Sequence, residues 1–142
     1  QLNGSDVIRG VVSGACGTGE GMFTTELYVN CFQALKSDGS MVNQHERPFY
    51  PEDALACQRA HKRIVESFPV SRVYQAHIPT YPSGHWLFGF ASKKYHPLKD
   101  LDEKRWNARG LKCKYYTTTL HKGAFYIPAY VEELLSNVEH AE

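Results

Sequence analysis

"RVYQAHIPTYPSGHWLFGFA" (residues 72–91) holds two apolar runs separated by Pro79, Pro82, Ser83 and Gly84. The flanking runs, residues 72–78 and 86–91, carry β-branched and aromatic side chains bounded by turn formers, which predicts two strands joined by a short connection. The second run is apolar on both faces and therefore belongs in the middle of a sheet or under a cover. The connection itself is odd. Reversing a chain needs only small polar residues, yet Tyr81, Trp86, His77 and His85 crowd this turn.

Working outward from it, the preceding sequence alternates strands with helices. Val7, Ile8, Val11 and Val12 read as a strand that opens into a Gly-rich loop over residues 13–22. Thr24 or Thr25 caps a helix with Leu27, Cys31, Ala34 and Leu35 on one face, and Gly39 is expected to stop it. "SMVNQHE" (40–46) reads as a brief strand. Pro51, Glu52 and Asp53 then start a second helix, which runs to about Phe68 with Ala54, Cys57, His61, Ile64, Val65 and Phe68 at helical spacing. His61 on that face reads as a core histidine. Beyond the hairpin, residues 100–109 suggest a short charged surface helix, and Pro128 opens a last helix through Val131, Leu134 and Leu135. The aromatic run Tyr115, Tyr116, Phe125 and Tyr126 reads mainly as packing.

The expected fold class is therefore α/β: a partial Rossmann-like sheet with flanking helices, in a single domain over residues 1–142. In open sheets of this kind ligands bind beyond the carboxyl ends of the strands. Gln44, His45 and Glu46 end one strand and Tyr81 lies just beyond the next, so they are expected to meet in one cleft.

Composition narrows the function. Hydrophobic residues are 42% and charged residues 22% of the chain, within the globular range. No apolar run approaches the ~20 residues of a membrane span. The formal charge is +1 with scattered basic residues, unlike a dedicated nucleic-acid binder. Cys16, Cys31, Cys57 and Cys113 are widely spaced, and His77, His85 and His121 lack ligand spacing, so a metal site is not expected. Cys31 and Cys57 read as reduced core thiols, which with no secretory leader in view suggests a cytoplasmic protein.

Four segments, "GEGMFTTELYVNCFQALKSDGS" (19–40), "QHERPFY" (44–50), "IPTYPSGHW" (78–86) and "LKCKYYTTTLHKGAFYIP" (111–128), together resemble the carboxyl-terminal half of spermidine synthases, the polyamine aminopropyltransferases. The resemblance runs in order from about Asp6 to Leu135. It implies a methyltransferase-type sheet, transfer of an aminopropyl group from decarboxylated S-adenosylmethionine to putrescine, and a diamine pocket walled by Tyr81 and Trp86, with Gln44 and Glu46 as acceptors for the ammonium groups. Such a substrate suits aromatic faces along its alkyl body and amide or carboxylate oxygens at its ends. The bland alternatives are that Tyr81 only packs on Trp86, and that Gln44 and Glu46 are solvated residues at a strand end.

The sequence departs from that family at the chemistry. Spermidine synthases carry D-S-x-D-P after a strand, and the gapless match from Asp6 to Phe23 puts Val11 and Gly14 at the two acidic positions and Ala15 at the proline. A primary amine has a pKa near ~10 and needs a base before it attacks; a positioned base typically contributes ~10²- to 10⁴-fold. The glycine loop for the nucleotide and the acidic residue for its ribose belong to a first half of the fold that has no counterpart in these residues. The co-substrate site is thus expected to be largely missing, with catalysis lost or incomplete. A non-catalytic pseudoenzyme or interaction module is the alternative, and the first strand's open edge suggests a homodimer or a heteromer with an active synthase.

Overall fold

The computed structural model describes residues 4–10 and 24–138. Val11, Gly14 and the Gly-rich stretch 13–22 lie outside the described residues. The elements are β1 (Ser5–Gly10), α1 (Thr25–Ala34), β2 (Leu35–Gln44), α2 (Pro51–Ser67), β3 (Val70–His77), β4 (His85–Ser92), α3 (Glu103–Ala108), α4 (Thr118–Gly123) and α5 (Ala129–Leu135). The strands form one sheet in the order β1-β2-β4-β3. β1 and β2 are parallel, while β4 lies antiparallel to both β2 and β3. The doubly apolar strand is therefore an inner one, as its composition predicts.

Alternation along the strands separates two faces. Met41, Val73, Leu87 and Ala91 face α1, α2 and α5, where Tyr28, Ile64, Phe68, Cys57, Val131 and Leu135 complete two adjoining buried clusters. Ile64 and Leu87 are fully buried, and each such side chain contributes roughly 1.5–3 kcal/mol through removal of apolar surface from water. The opposite face, with Val42, Phe90 and Tyr74, lies under the segment from Tyr95 to Phe125.

Three expectations need correcting. α1 ends at Ala34, and β2 starts at once and runs through Gly39, which is not a helix stop. Pairing with β1 draws this stretch into the sheet: Ser5 matches Leu35 but Val7 matches Ser40, so β2 bulges between them. Gly39 permits the bulge, because a Cβ there would lie 2.9 Å from Leu35 Cδ2. The inward face of α1 is Tyr28, Cys31 and Phe32, packed with Leu35 of β2, while Ala34 is exposed. Of the late aromatic run only Phe125 is buried; Tyr115 and Tyr126 are exposed. The helix α4, capped by Thr117 through the Leu120 amide, was not foreseen. Among the described residues no helix is long and apolar enough to cross a membrane.

Candidate functional site

The carboxyl ends of β2 and β3 and the start of β4 lie at one end of the sheet. The aromatic turn between β3 and β4 is tightly closed. The Ile78 amide donates to the Gly84 carbonyl at 2.7 Å, Tyr81 to Ile78 at 3.1 Å, and Gly84 to Tyr81 at 3.0 Å. Ser83 and Gly84 hold positive φ angles of 64° and 67°, a geometry that suits glycine and strains serine. This turn lays the Tyr81 ring on Trp86, with centroids 4.8 Å apart, while leaving Tyr81 half exposed.

Trp86 is itself anchored. Its indole N–H donates to the His45 carbonyl at 2.9 Å, so β4 and the end of β2 are locked across the site. Leu87 accepts the His45 amide and donates to the Glu46 carbonyl, so two residues of one segment oppose one of the other. That bulge-like offset turns the chain out of the sheet toward α2. Gln44 pairs with Phe88, which by register puts it on the same face as Trp86, one diagonal step away.

Beneath this layer runs a buried polar chain. The Asn43 amide reaches His45 Nδ1 at 3.1 Å, and His45 Nε2 reaches His61 Nδ1 at 3.3 Å. With Asn43 donating, His45 carries its proton on Nε2 and passes a hydrogen bond on to His61. Burial lowers the His45 pKa to about 4, which keeps the ring neutral. Gly89 makes room for it: a Cβ there would sit 2.4 Å from His45 Nε2. His61 is a core histidine, as expected, and is fully buried.

Glu46 sits at the edge of this layer. Its amide donates to Cys57 Sγ at 3.0 Å, and Cys57 is a free, buried thiol. The Glu46 carboxyl is pushed up to about 7, chiefly by burial and then by the charge of Asp53, with Arg47 opposing. Arg47 places both Nε, at 2.8 Å, and Nη2, at 2.7 Å, on Asp53 Oδ2. Its guanidinium stands 4.7 Å from the Tyr50 ring centroid and 6.0 Å from that of Trp86. Sequence reading took Asp53 only as a helix start and passed over Arg47. The signal was present in "ERPFYPED", where a cation is bracketed by carboxylates and aromatics at a strand-to-helix junction.

The structure thus joins Trp86 to Tyr81 by ring contact and to the Glu46 segment by hydrogen bonds, with Gln44 sharing the Trp86 face. Of the candidate histidines, His77 and His85 pair across β3 and β4 with their rings stacked, centroids 6.0 Å apart, while His121 has other partners. His85 is held between Gln75 and Tyr130, and His121 binds Tyr116 and the Pro97 carbonyl. A mostly apolar cavity of about 460 Å³ lies on the sheet face that carries Val42 and Phe90, lined by Val42, Tyr74, Phe90, Tyr115 and Phe125 among others, with Tyr81, Trp86 and Glu46 outside its lining.

The sequence pattern described as the spermine/spermidine synthase domain matches residues 2–103. The chain belongs to the spermine/spermidine synthase family. It is 68% identical over 123 residues to a polyamine aminopropyltransferase of Clostridium perfringens, covering 87% of this chain and 43% of that protein. A polyamine aminopropyltransferase of Alkaliphilus oremlandii is 64% identical over the same length, again covering 87% and 43%. Among solved structures, a spermidine synthase in complex with the transition-state analogue AdoDATO superposes with a TM-score of 0.83 at 36% identity, covering 95% of this chain and 46% of that one. The spermidine synthase of Thermotoga maritima gives a TM-score of 0.75 at 38% identity, over 80% and 39%. The chain therefore spans less than half the length of the relatives it matches, and its sheet is the corresponding part of the spermidine synthase fold.

Proposed function

We propose that this chain is the amine-binding half of a polyamine aminopropyltransferase, and that its own residues bind a diamine without completing the transfer. The observation that carries the reading is the corner where the half-exposed Tyr81 ring lies on a Trp86 anchored to the His45 carbonyl, next in sequence to Glu46, whose carboxyl is held above its usual pKa. The alkyl body of a diamine such as putrescine lies along the two rings, one ammonium faces Glu46, and the Gln44 amide oxygen accepts from the same chain. Aromatic faces attract a cation by ~0.5–2 kcal/mol, more as water is excluded. Burial, and then the charge of Asp53, disfavours the Glu46 anion, and an ammonium partner favours it.

Transfer requires a base that takes the amine proton before nitrogen attacks the aminopropyl carbon. Val11 and Gly14 stand where the family has acidic residues, and neither side chain accepts a proton. The alternative, a non-catalytic module that pairs with another chain in the cytoplasm, is favoured by one feature: β1 pairs only with β2 among the described strands, leaving an edge for a second copy or an active synthase.

The test is a titration with putrescine followed by the Trp86 indole NMR signal, with a parallel incubation that adds decarboxylated S-adenosylmethionine. Saturable shifts that weaken at least several-fold in Tyr81→Ala and Gln44→Ala, with no product above a heat-killed control, are expected. Shifts unaffected by both substitutions reject the pocket, and product formation rejects the loss of catalysis.

A further inference from the structure

We propose that Arg47 is a specificity-determining residue: its guanidinium permanently fills a second cation subsite made by Asp53, Tyr50 and Trp86, so that the site admits one external ammonium at this end and not two. The inference rests on the amine-binding reading of Tyr81, Trp86 and Glu46 given above, and extends it to the length of amine accepted.

The corner contains two carboxylates, Glu46 and Asp53, close enough that the Asp53 charge helps hold the Glu46 carboxyl above its usual range. It also contains rings suited to cations. Two neighbouring acids make a place for two positive charges, and one is already present. Arg47 binds Asp53 through two nitrogens, lies over Tyr50 and approaches Trp86, as a ligand ammonium would. Asp53 is nearly buried and Arg47 three-quarters so on its side chain, so this cation is fixed rather than sampled from solvent. Asp53 is set in the first turn of α2, whose dipole favours its negative charge and so the pairing.

A linear diamine needs only Glu46 at this end. A triamine whose next ammonium lies a few ångströms further along finds the second carboxylate neutralised and the aromatic face covered. Added positive charge, which ordinarily strengthens binding to an acidic site, is therefore expected to add little. Removing the guanidinium uncovers Asp53 and reverses this, with an effect on the order of tenfold or more for unit charges at such separations.

The experiment titrates putrescine and spermidine against the wild-type chain, Arg47→Gln and the double variant Arg47→Gln/Asp53→Asn, following the Trp86 indole NMR signal. In the wild type, spermidine should bind within about threefold of putrescine. In Arg47→Gln the spermidine-to-putrescine affinity ratio should rise about tenfold, and in the double variant, which removes the second carboxylate and leaves only Glu46, it should return to the wild-type value. Spermidine binding more than tenfold tighter than putrescine to the wild type overturns the proposal without recourse to any variant. So does an unchanged ratio in a folded Arg47→Gln. If neither amine moves the Trp86 signal in the wild type, the amine-binding reading itself fails, and this proposal with it.

Discussion

A single methyl group at residue 89 tests whether the buried histidines hold the site in place. An ideal Cβ there would lie 2.4 Å from His45 Nε2, 2.7 Å from its Cε1 and 3.0 Å from Ile64 Cδ1. Neither neighbour can swing into water, since His45 is 2% and Ile64 0% exposed. The His45 ring is tied to Asn43 and His61, and its own backbone carbonyl receives the Trp86 indole. Gly89→Ala must therefore either break the His45–His61 contact or shift the backbone that anchors Trp86. Overpacking of this kind costs about 1–3 kcal/mol, and a buried hydrogen-bonding group left without its partner a further ~1–3. We expect a net loss of ~2–4 kcal/mol, a fall in Tm on the order of 10 °C for a chain of this size. Thermal unfolding by circular dichroism measures it, with Gly123→Ala as a control because nothing lies within 4 Å of a Cβ there. The Trp86 indole signal should move in the first variant only. A Tm within about 2 °C of wild type, with the indole signal unmoved, would refute the claim that His45 is packed against β4 and positions Trp86.

Two further outcomes follow from the same layer. Burial sets the His45 pKa at about 4 in the folded chain against 6.5 for the free side chain. Below pH ~6.5 the unfolded chain takes up a proton that the folded one refuses, so stability is intact above that pH and falls by up to ~3 kcal/mol as pH drops toward 4; urea unfolding from pH 7.5 to 4.5 should show a shallower decline in His45→Gln than in wild type. At Gly84, where φ is 67° and a Cβ would meet nothing nearer than Ile78 O at 3.9 Å, alanine should cost only the left-handed backbone penalty of about 1–2 kcal/mol, read by urea unfolding, while shifting Trp86 because Tyr81 rides on that turn.

The fold was legible where local chemistry and tertiary packing agree. Pro51 with Glu52 and Asp53 opens α2 where proline and acids are favoured, and the unbroken apolar run of β4 marks an inner strand. It was illegible where pairing overrode propensity. Nothing local announces that residues 35–39 leave a helix to bulge against β1, because that choice is made by Ser5 and Val7 thirty residues earlier in sequence. The same holds for the site. Tyr81 and Trp86 stood out because aromatic residues are costly in a turn, whereas Arg47 looked like any surface arginine until α2 brought Asp53 back across it. The His45–His61 contact joins a strand end to a helix midpoint and depends on a missing Cβ at residue 89 on a third element, which no window of sequence contains.

The residues of the corner differ in what retains them. Trp86, Asp53 and Cys57 are buried and bonded, and each would be needed to keep this end of the sheet packed whatever the protein binds. Glu46 is different. Only its backbone serves the fold, through Cys57 and Leu87, while its half-buried carboxyl is displaced upward to about 7. A group whose folded pKa is raised gives its full stability below the unfolded value, near 4.5, and that contribution is lost as pH rises through 7. At neutral pH the side chain therefore works against the fold, by an amount reduced by its partial exposure to solvent. Serine or glutamine would satisfy the backbone equally well without that cost. With a pKa of about 7 this carboxyl is only partly ionised at neutral pH and a bound cation would favour its charged form; Arg47 pulls the same way, but its hydrogen bonds go to Asp53. On the reading proposed above, the cation that completes this charge balance is the amine.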